Sequence, residues 1–321
     1  MPGEFELIKK YFAGRDAGDC VKLGVGDDCA LMEIPQGQCL AVTTDTQVEG
    51  VHFFKGADPR DLGWKSLLVN LSDLAAMGAR PCAFTLSLTL PEAEDAFLKP
   101  FSEGLFALAG KAQIPLIGGN TARGQLSVTI SAYGLVKAGQ ALRRDAARAG
   151  DLVCVSGALG APALAVEAGY GRAEVTQAQK QALLKKSMLI APLNEPACEV
   201  AERGLCRCAI DISDGFCGDL GHILERSCLG AQVRLEALPL SKELYECDLT
   251  QERREDLALY GGGDYQLILV LPERSFPEAR EIFTSHGSSL AAVGAITSSK
   301  GLTLMKNGRI HKSDRKGFEH F

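Results

Sequence analysis

Five aspartates lie where folding alone gives little reason for a carboxylate. Asp73 is the clearest, because it falls in a predicted helix over residues 62–77 whose neighbours are mostly leucine and alanine. A carboxylate in so apolar a helix must be paired or bind a cation, because an unpaired buried charge is costly. The others, Asp28, Asp45, Asp211 and Asp214, follow predicted strands or stand in glycine-containing turns. In α/β proteins such positions often build the functional site.

Taken together, these carboxylates favour Mg²⁺, which prefers carboxylate and phosphate oxygens as ligands. No cluster of histidine or cysteine accompanies them, and none of the eleven cysteines forms a C-x-x-C pair, which argues against zinc. Considered singly, Asp28 and Asp214 also fit a turn or a helix cap, and Asp45 fits an ordinary strand end. Only the whole set therefore indicates a metal.

Two glycine-rich turns are predicted, where backbone could approach a ligand closely. One begins at Gly118 and includes Asn120, and the other runs from Gly261 to Asp264. Each also fits a plain turn. The sequence contains neither a P-loop nor a dinucleotide fingerprint in the right context, so a nucleotide would be held without those devices.

Composition limits the possible classes of function. A net charge of −6 and the lack of a lysine or arginine block argue against nucleic-acid binding, and no apolar run is long enough to span a membrane. An odd number of cysteines and no predicted secretory leader favour reduced thiols and a cytoplasmic location. We therefore expect an enzyme or binding protein for small ligands.

Helical and strand patterns alternate along the chain, which predicts an α/β fold. Strands are expected at residues 40–45, 84–90, 126–130 and 151–156, with a helix from Asp58-Pro59 to Gly78. The 321 residues fit two domains, and the strand pattern breaks between Lys137 and Gly150. The predicted domains are residues 1–138 and 149–321. Because two first-domain strands alternate apolar with polar residues, one sheet face needs a cover, and we expect a homodimer.

Several ordered segments together resemble thiamine-monophosphate kinases. They are GVGDDCA at 24–30, TTDT at 43–46, GVHF at 50–53, NLSDLAAMGA at 70–79, LIGG at 116–119, AIDISDG at 209–215, GDLGH at 218–222, DY at 264–265 and KGFEHF at 316–321. Each segment alone is weak, but their order along nearly the whole chain makes the resemblance specific. That family shares its two-domain architecture with aminoimidazole ribonucleotide synthetase and selenide, water dikinase.

The resemblance implies ATP-dependent phosphorylation of thiamine monophosphate to thiamine diphosphate, in a dimer joined through N-terminal sheets. The implied ligands of several Mg²⁺ ions are Asp28, Thr43, Thr44, Asp45, Asp73, Asn120, Asp211 and Asp214. The implied ATP contacts are Thr44, Gly119, Asn120, Arg144 and Ser213, and the implied contacts of thiamine monophosphate are His52, Gly263 and Phe318. Arg144 and Asp214 take the catalytic roles, and no general base is assigned because the acceptor is already an anionic phosphate oxygen.

Several positions depart from the family pattern, and two of them bear directly on the predicted site. Asn120 stands where the family carries aspartate after Gly-Gly, and Gly263 stands where it carries glutamate. A neutral ligand at Asn120 is expected to weaken one metal site. Two alternatives to the kinase follow, namely a weakly active or non-catalytic protein that binds nucleotide or thiamine phosphate, and another ATP-dependent enzyme of the same superfamily.

Overall fold

A computed structural model describes residues 4–12 and 18–311. Their contacts separate two compact units, one made of the described residues up to Leu74 with Ala79–Ala138, and one made of Ala75–Gly78 with the described residues from Gly139 onward. Phe318 and the C-terminal motif at 316–321 lie outside the described residues. No described helix is both long enough and apolar enough to cross a bilayer.

The first unit is built on a four-stranded sheet. Its elements are α1 (Glu4–Leu7) with a π-helical turn (Ile8–Phe12), β1 (Val21–Leu23), β2 (Leu31–Met32), β3 (Gln38–Val48), α2 (Pro59–Ala76), β4 (Arg80–Leu90), α3 (Asp95–Ala112), β5 (Leu116–Arg123) and β6 (Ser127–Lys137). The sheet order is β3-β6-β4-β5, with β4 and β5 parallel and the other pairs antiparallel. The predicted strands are present, and β3 and β6 are longer than predicted.

The predicted helix end at Gly78 has a simple geometric cause. Gly78 has a φ of 63°, and its N–H donates to the carbonyl of Ala75 at 2.9 Å. The next N–H, of Ala79, donates to the carbonyl of Leu74 at 2.9 Å. This pair of bonds closes the helix end, and glycine adopts the required left-handed backbone without a Cβ penalty.

The alternation along β4 separates two faces of this sheet. Phe84, Leu86 and Leu88 are buried, whereas Thr85 is half-buried and Ser87 is exposed. The buried side chains belong to the core of this unit, and the polar side chains line the other face of the sheet. The prediction of a strand with a single core face is therefore confirmed.

The second unit contains a seven-stranded sheet of order β13-β12-β9-β11-β7-β10-β8. Its strands are β7 (Leu152–Ser156), β8 (Cys208–Asp211), β9 (Gly230–Arg234), β10 (Leu267–Leu271), β11 (Leu290–Thr297), β12 (Gly301–Lys306) and β13 (Arg309–His311). Its helices are α4 (Ala161–Gly169), α5 (Gln177–Met188), α6 (Asn194–Glu202), α7 (Phe216–Ser227), α8 (Gln251–Tyr260) and α9 (Phe276–Ser285). The pairing is antiparallel except between β9 and β12.

Helices cover both faces of the seven-stranded sheet. Val153 and Val155 of β7 belong to the cluster that includes Phe216 of α7, whereas Cys154 belongs to the cluster that includes Phe283 of α9. Strands covered on both faces lose the apolar–polar alternation, which explains why all five residues of β10 are buried. The mixed α/β architecture agrees with the predicted fold class.

Candidate active site

In the first unit, strand β3 and helix α2 bring three predicted site residues, Thr43, Asp45 and Asp73, close to Asn70. The Thr43 hydroxyl donates to the Asp73 carboxylate, and the Asp45 N–H donates to Oδ1 of Asn70 at 3.2 Å. Asn70 is fully buried, and its Nδ2 donates to the carbonyl of Ser66 at 3.1 Å. Among the described residues β3 is an edge strand, so Asn70 serves as acceptor for the Asp45 N–H where a further strand would otherwise do so.

The residue between them, Thr44, projects to the opposite face of the sheet. Its hydroxyl lies 2.8 Å from that of Ser131, and the Thr46 hydroxyl lies 2.9 Å from that of Thr129. Adjacent strand residues point to opposite faces of the sheet, so the side chains of Thr43 and Thr44 contact different groups. The structure thus divides the predicted metal ligands of β3 between two faces.

Asn120 shares the face of Thr44 but lies at the far edge of the sheet. It pairs with Ser87 of β4, whose partner on β6 is Thr129, and β3 lies beyond. Three strand spacings separate Asn120 from β3, which is about 14 Å. Within one chain, the structure does not bring Asn120 together with Thr44.

The glycine-rich turn predicted from Gly118 is wrong, because these residues belong to β5. A Cβ on Gly119 would lie 1.9 Å from the carbonyl oxygen of Leu86. The close approach of β4 and β5 therefore requires glycine at position 119, independently of the predicted contact with ATP.

His52 and Asp28 lie in loops of the same unit. The Nδ1 atom of His52 accepts the N–H of Val48 at 3.1 Å, which fixes the ring's tautomer as Nε2–H if the ring is neutral. Asp28 is exposed, and its N–H donates to the carboxylate of Asp27 at 2.9 Å. Among the described residues, no three or more His, Cys, Asp or Glu side chains lie close enough together to hold a metal ion by themselves.

In the second unit, the predicted Asp211–Asp214 segment lies between β8 and α7. Asp211 is 4% exposed at the end of β8, and Ser213 and Asp214 are half-buried in the loop that follows. The Oδ2 atom of Asp219 accepts the N–H groups of both Ser213 and Asp214 at 3.1 Å. Burial raises the pKa of Asp219 to about 7, and the backbone N–H groups of the loop oppose that shift.

The segment at Gly261–Asp264 packs directly on this loop. The N–H of Gly263 donates to the carbonyl of Ser213 at 2.7 Å, and the N–H of Tyr265 donates to that of Ile212 at 2.8 Å. A Cβ on Gly262 would lie 2.4 Å from the carbonyl oxygen of Ser213. The predicted site residues Ser213, Asp214 and Gly263 are therefore neighbours, and Gly262 is needed for their packing.

Arg144 is exposed in the loop that precedes β7. Its neighbour Arg143 forms an ion pair with Asp145 at 2.6 Å, and the carbonyl of Arg144 accepts the hydroxyl of Ser227 at 2.8 Å. Ser227 also accepts the N–H of Ala147 at 3.3 Å. These bonds fix the backbone on both sides of Arg144 and leave its guanidinium exposed.

Sequence reasoning assigned no role to Asp219 or Ser227. Asp219 had a usable signal, because it lies in the first turn of an amphipathic helix on the side that carries Phe216 and Leu220. An acidic residue on an apolar helix face needs a partner, as Asp73 does. Ser227 at the end of the same helix offered no comparable signal.

Comparison with known proteins identifies the family of this chain. Residues 26–136 match the N-terminal domain of AIR synthase related proteins, and residues 148–307 match the C-terminal domain. The chain is 42% identical to the thiamine-monophosphate kinase of Escherichia coli K12, covering 99% of this chain and 98% of the relative. It belongs to the thiamine-monophosphate kinase family.

Solved structures of thiamine-monophosphate kinases have the same fold. The crystal structure of the enzyme from Stenotrophomonas maltophilia K279a aligns with a TM-score of 0.82 at 39% identity, covering 91% of this chain and 93% of that one. The structure "AaThiL complexed with AMPPCP and TMP" aligns with a TM-score of 0.78 at 28% identity, covering 99% of this chain and 96% of that one. The two-domain fold implied by the resemblance is confirmed.

Proposed function

We propose that this chain is a thiamine-monophosphate kinase, which transfers the γ-phosphoryl group of ATP to thiamine monophosphate and releases ADP and thiamine diphosphate. The observation that carries the proposal is the 42% sequence identity to a thiamine-monophosphate kinase, which extends over 99% of this chain. A related structure holds AMPPCP, an analogue of ATP with a non-hydrolysable γ-phosphate, together with TMP. The two alternatives, a non-catalytic binding protein and another ATP-dependent enzyme, are kept as outcomes of the test.

We include Mg²⁺ in the proposal, on the chemistry of the available ligands. Mg²⁺ in phosphoryl-transfer sites takes one or two protein carboxylates and completes its shell with water and phosphate oxygens. Oxygen ligands of this kind are available, among them the hydroxyl of Thr43, the carboxylate of Asp73 and the exposed Asp28. The ion would supply neutralisation of the phosphate charge. The residues proposed to hold several such ions, in different combinations, are Asp28, Thr43, Thr44, Asp45, Asp73, Asn120, Asp211 and Asp214.

The protein's own part in the reaction is to position two anions. Arg144 is the proposed contact of the ATP phosphates, because an exposed guanidinium can form charge-assisted hydrogen bonds to phosphate oxygens. Ser213 and Gly119 are the further proposed ATP contacts, and His52, Gly263 and Phe318 the proposed contacts of thiamine monophosphate. The acceptor phosphate is already ionised, so no side chain needs to remove a proton from it.

We also propose a homodimer, and the placement of Asn120 supports it. Two ligands of one Mg²⁺ ion lie at most about 4 Å apart, since each lies about 2.1 Å from the ion. Thr44 and Asn120 stand more than about 14 Å apart, because three strand spacings separate β3 from β5 and Asn120 lies in the row of Thr46. If both contact one ion, Asn120 must therefore come from a second subunit. The exposed apolar residues Leu40 and Val42 on the same face favour such packing.

Subunit mixing tests this arrangement. We expect Asp45→Ala and Asn120→Lys to be inactive separately, and activity to return when the two dimers exchange subunits. The mixed dimer then contains one site with both native residues. No recovery after demonstrated exchange would contradict a site shared between subunits, and a monomer in light scattering would contradict the dimer itself.

A cytoplasmic location completes the proposal, because ATP is available there and thiols stay reduced. Burial raises the pKa values of the Cys154 and Cys206 thiols to about 12, so these cysteines are poor nucleophiles and pack as small apolar residues. Their chemistry gives no reason for an oxidising compartment.

The proposed activity is tested directly with purified protein. We expect thiamine diphosphate and ADP to form from thiamine monophosphate and ATP only when Mg²⁺ or Mn²⁺ is present, with thiamine itself a poor acceptor. If no product forms at high enzyme concentration but Mg²⁺-dependent ATP binding persists, the binding-protein alternative replaces the kinase. Turnover of another phosphate acceptor in preference to thiamine monophosphate would favour the second alternative, another ATP-dependent enzyme of the same superfamily.

A further inference from the structure

We propose that Asp219 is a positioning residue, whose buried carboxyl group fixes the backbone of Ser213 and Asp214 so that their side chains face ATP and metal. The inference rests on the proposed function, because it assigns Ser213 and Asp214 to that site. Asp219 itself lies within α7 and is 2% exposed, so its role is to hold the loop.

One oxygen atom of Asp219 makes both bonds. Its Oδ2 accepts the N–H groups of Ser213 and Asp214, each at 3.1 Å. Two donors that converge on one acceptor fix the orientation of the peptide between them. The side chains of Ser213 and Asp214 remain half-buried, with their backbone donors already used.

The opposite side of the same loop is fixed by a second set of bonds. The carbonyl of Ser213 accepts the N–H of Gly263 at 2.7 Å, and Ile212 exchanges bonds with the 265–266 segment at 2.7 and 2.8 Å. Without Asp219, the loop would keep these hydrogen bonds but lose the two that orient the N–H groups of Ser213 and Asp214.

The residue that follows the loop restricts it further. Gly215 has a φ of 113°, a backbone conformation that residues with a Cβ rarely adopt. A Cβ there would lie 2.9 Å from the carbonyl carbon of Tyr260. Asp219, the 263–266 segment and the backbone of Gly215 thus restrict the loop from three sides. Such restriction is typical of preorganised functional loops. Capping of α7 alone would not require bonds to residues two and three positions before the helix.

Three variants separate positioning from simple stabilisation. Asp219→Asn can place its amide oxygen where Oδ2 lies, so we expect kcat within about threefold of the native protein. Asp219→Leu has similar volume and no acceptor, so we expect a folded protein whose kcat falls about 100-fold, as misplacement by about 1 Å produces. The Mg²⁺ concentration for half-maximal activity should rise as well.

Glu255→Leu is the matched control. Glu255 is also a buried carboxylate of this unit, 5% exposed, and it bonds Gln251 and Lys306, neither of which is a predicted site residue. We expect this variant to lose stability while kcat changes less than about threefold. Equal losses of kcat in Asp219→Leu and Glu255→Leu at matched folded fraction would overturn the positioning role.

The test also separates this inference from the proposed function. A native protein without kinase activity contradicts the function, whereas an active native protein and an equally active Asp219→Leu variant contradict the inference alone. If Asp219→Leu does not fold, hydrogen exchange on the native protein decides. We expect slow exchange of the Ser213 and Asp214 amides. Exchange as fast as that of the exposed 299–300 turn would overturn the inference that Asp219 holds these two amides.

Discussion

Replacing Gly104 by alanine should force apart the two helices of the first unit. A Cβ on Gly104 of α3 would lie 1.8 Å from the carbonyl oxygen of Arg60 in α2. Gly63 of α2 makes the reciprocal approach, with a Cβ position 2.1 Å from the carbonyl oxygen of Phe101. Both obstacles are backbone atoms, which cannot rotate away as a side chain could.

The size of the effect follows from these distances. Ordinary contact for a Cβ begins near 3.4 Å, so the helices must separate by about 1.5 Å at Gly104. Inserting a methyl group into a packed interior commonly costs about 1–3 kcal/mol, and we expect a loss of unfolding free energy at or above the upper end. Because α2 also carries Asn70 and Asp73, kinase activity should fall about 10-fold or more.

Gly110 supplies the control on the same helix. It is exposed, and a Cβ there would meet no atom within 4 Å. Gly110→Ala should therefore stabilise the protein by about 0.5–1 kcal/mol, since alanine favours helix and restricts the unfolded chain. Urea unfolding and the kinase assay measure both variants. Equal stability of Gly104→Ala and Gly110→Ala would refute the close helix packing.

Three further predictions concern charge. Asp73→Asn should leave a folded protein but abolish Mg²⁺-dependent ATP binding in calorimetry, and unfolding instead would indicate a structural role. Asn120→Asp should lower the Mg²⁺ concentration for half-maximal activity, and an unchanged Mg²⁺ dependence with normal ATP binding would remove Asn120 from the ligands. Burial raises the pKa of Asp219 from 3.8 to about 7 in the folded protein. In EDTA, its contribution to the free energy of unfolding should therefore be fully present below about pH 4 and be lost as the pH rises through about 7. Asp219→Asn should therefore gain up to about 4 kcal/mol relative to the native protein between pH 4 and 8 in urea unfolding, and parallel pH profiles would contradict this.

Local patterns predicted the strands and α2 well. The alternation along 84–90 and the Asp-Pro start and glycine end of α2 depend on neighbouring residues only, so the sequence was sufficient. The turn predicted from Gly118 was wrong because the segment forms β5, where Gly119 packs so closely on β4 that the carbonyl of Leu86 leaves no room for a Cβ.

The sequence offered individual candidate site residues but not their arrangement. That Thr43 and Thr44 face opposite sides follows from the two-residue period of a strand. That Asn120 lies across the sheet from Thr44 depends on the order β3-β6-β4-β5, a non-local property that neither spacing nor composition encodes. Asp219 stands on an apolar helix face, which signals that it needs a partner, but the sequence does not identify that partner, because backbone N–H groups are offered by every residue except proline.

Transfer of label from ATP tests the central claim most directly. Purified protein is incubated with Mg²⁺, thiamine monophosphate and ATP carrying ³²P in the γ-phosphate, and the products are separated. Direct phosphoryl transfer predicts that the label appears in thiamine diphosphate, in amounts equal to the ADP formed. Label that appears only as inorganic phosphate, or that stays in ATP, would contradict the assignment of this chain as a thiamine-monophosphate kinase.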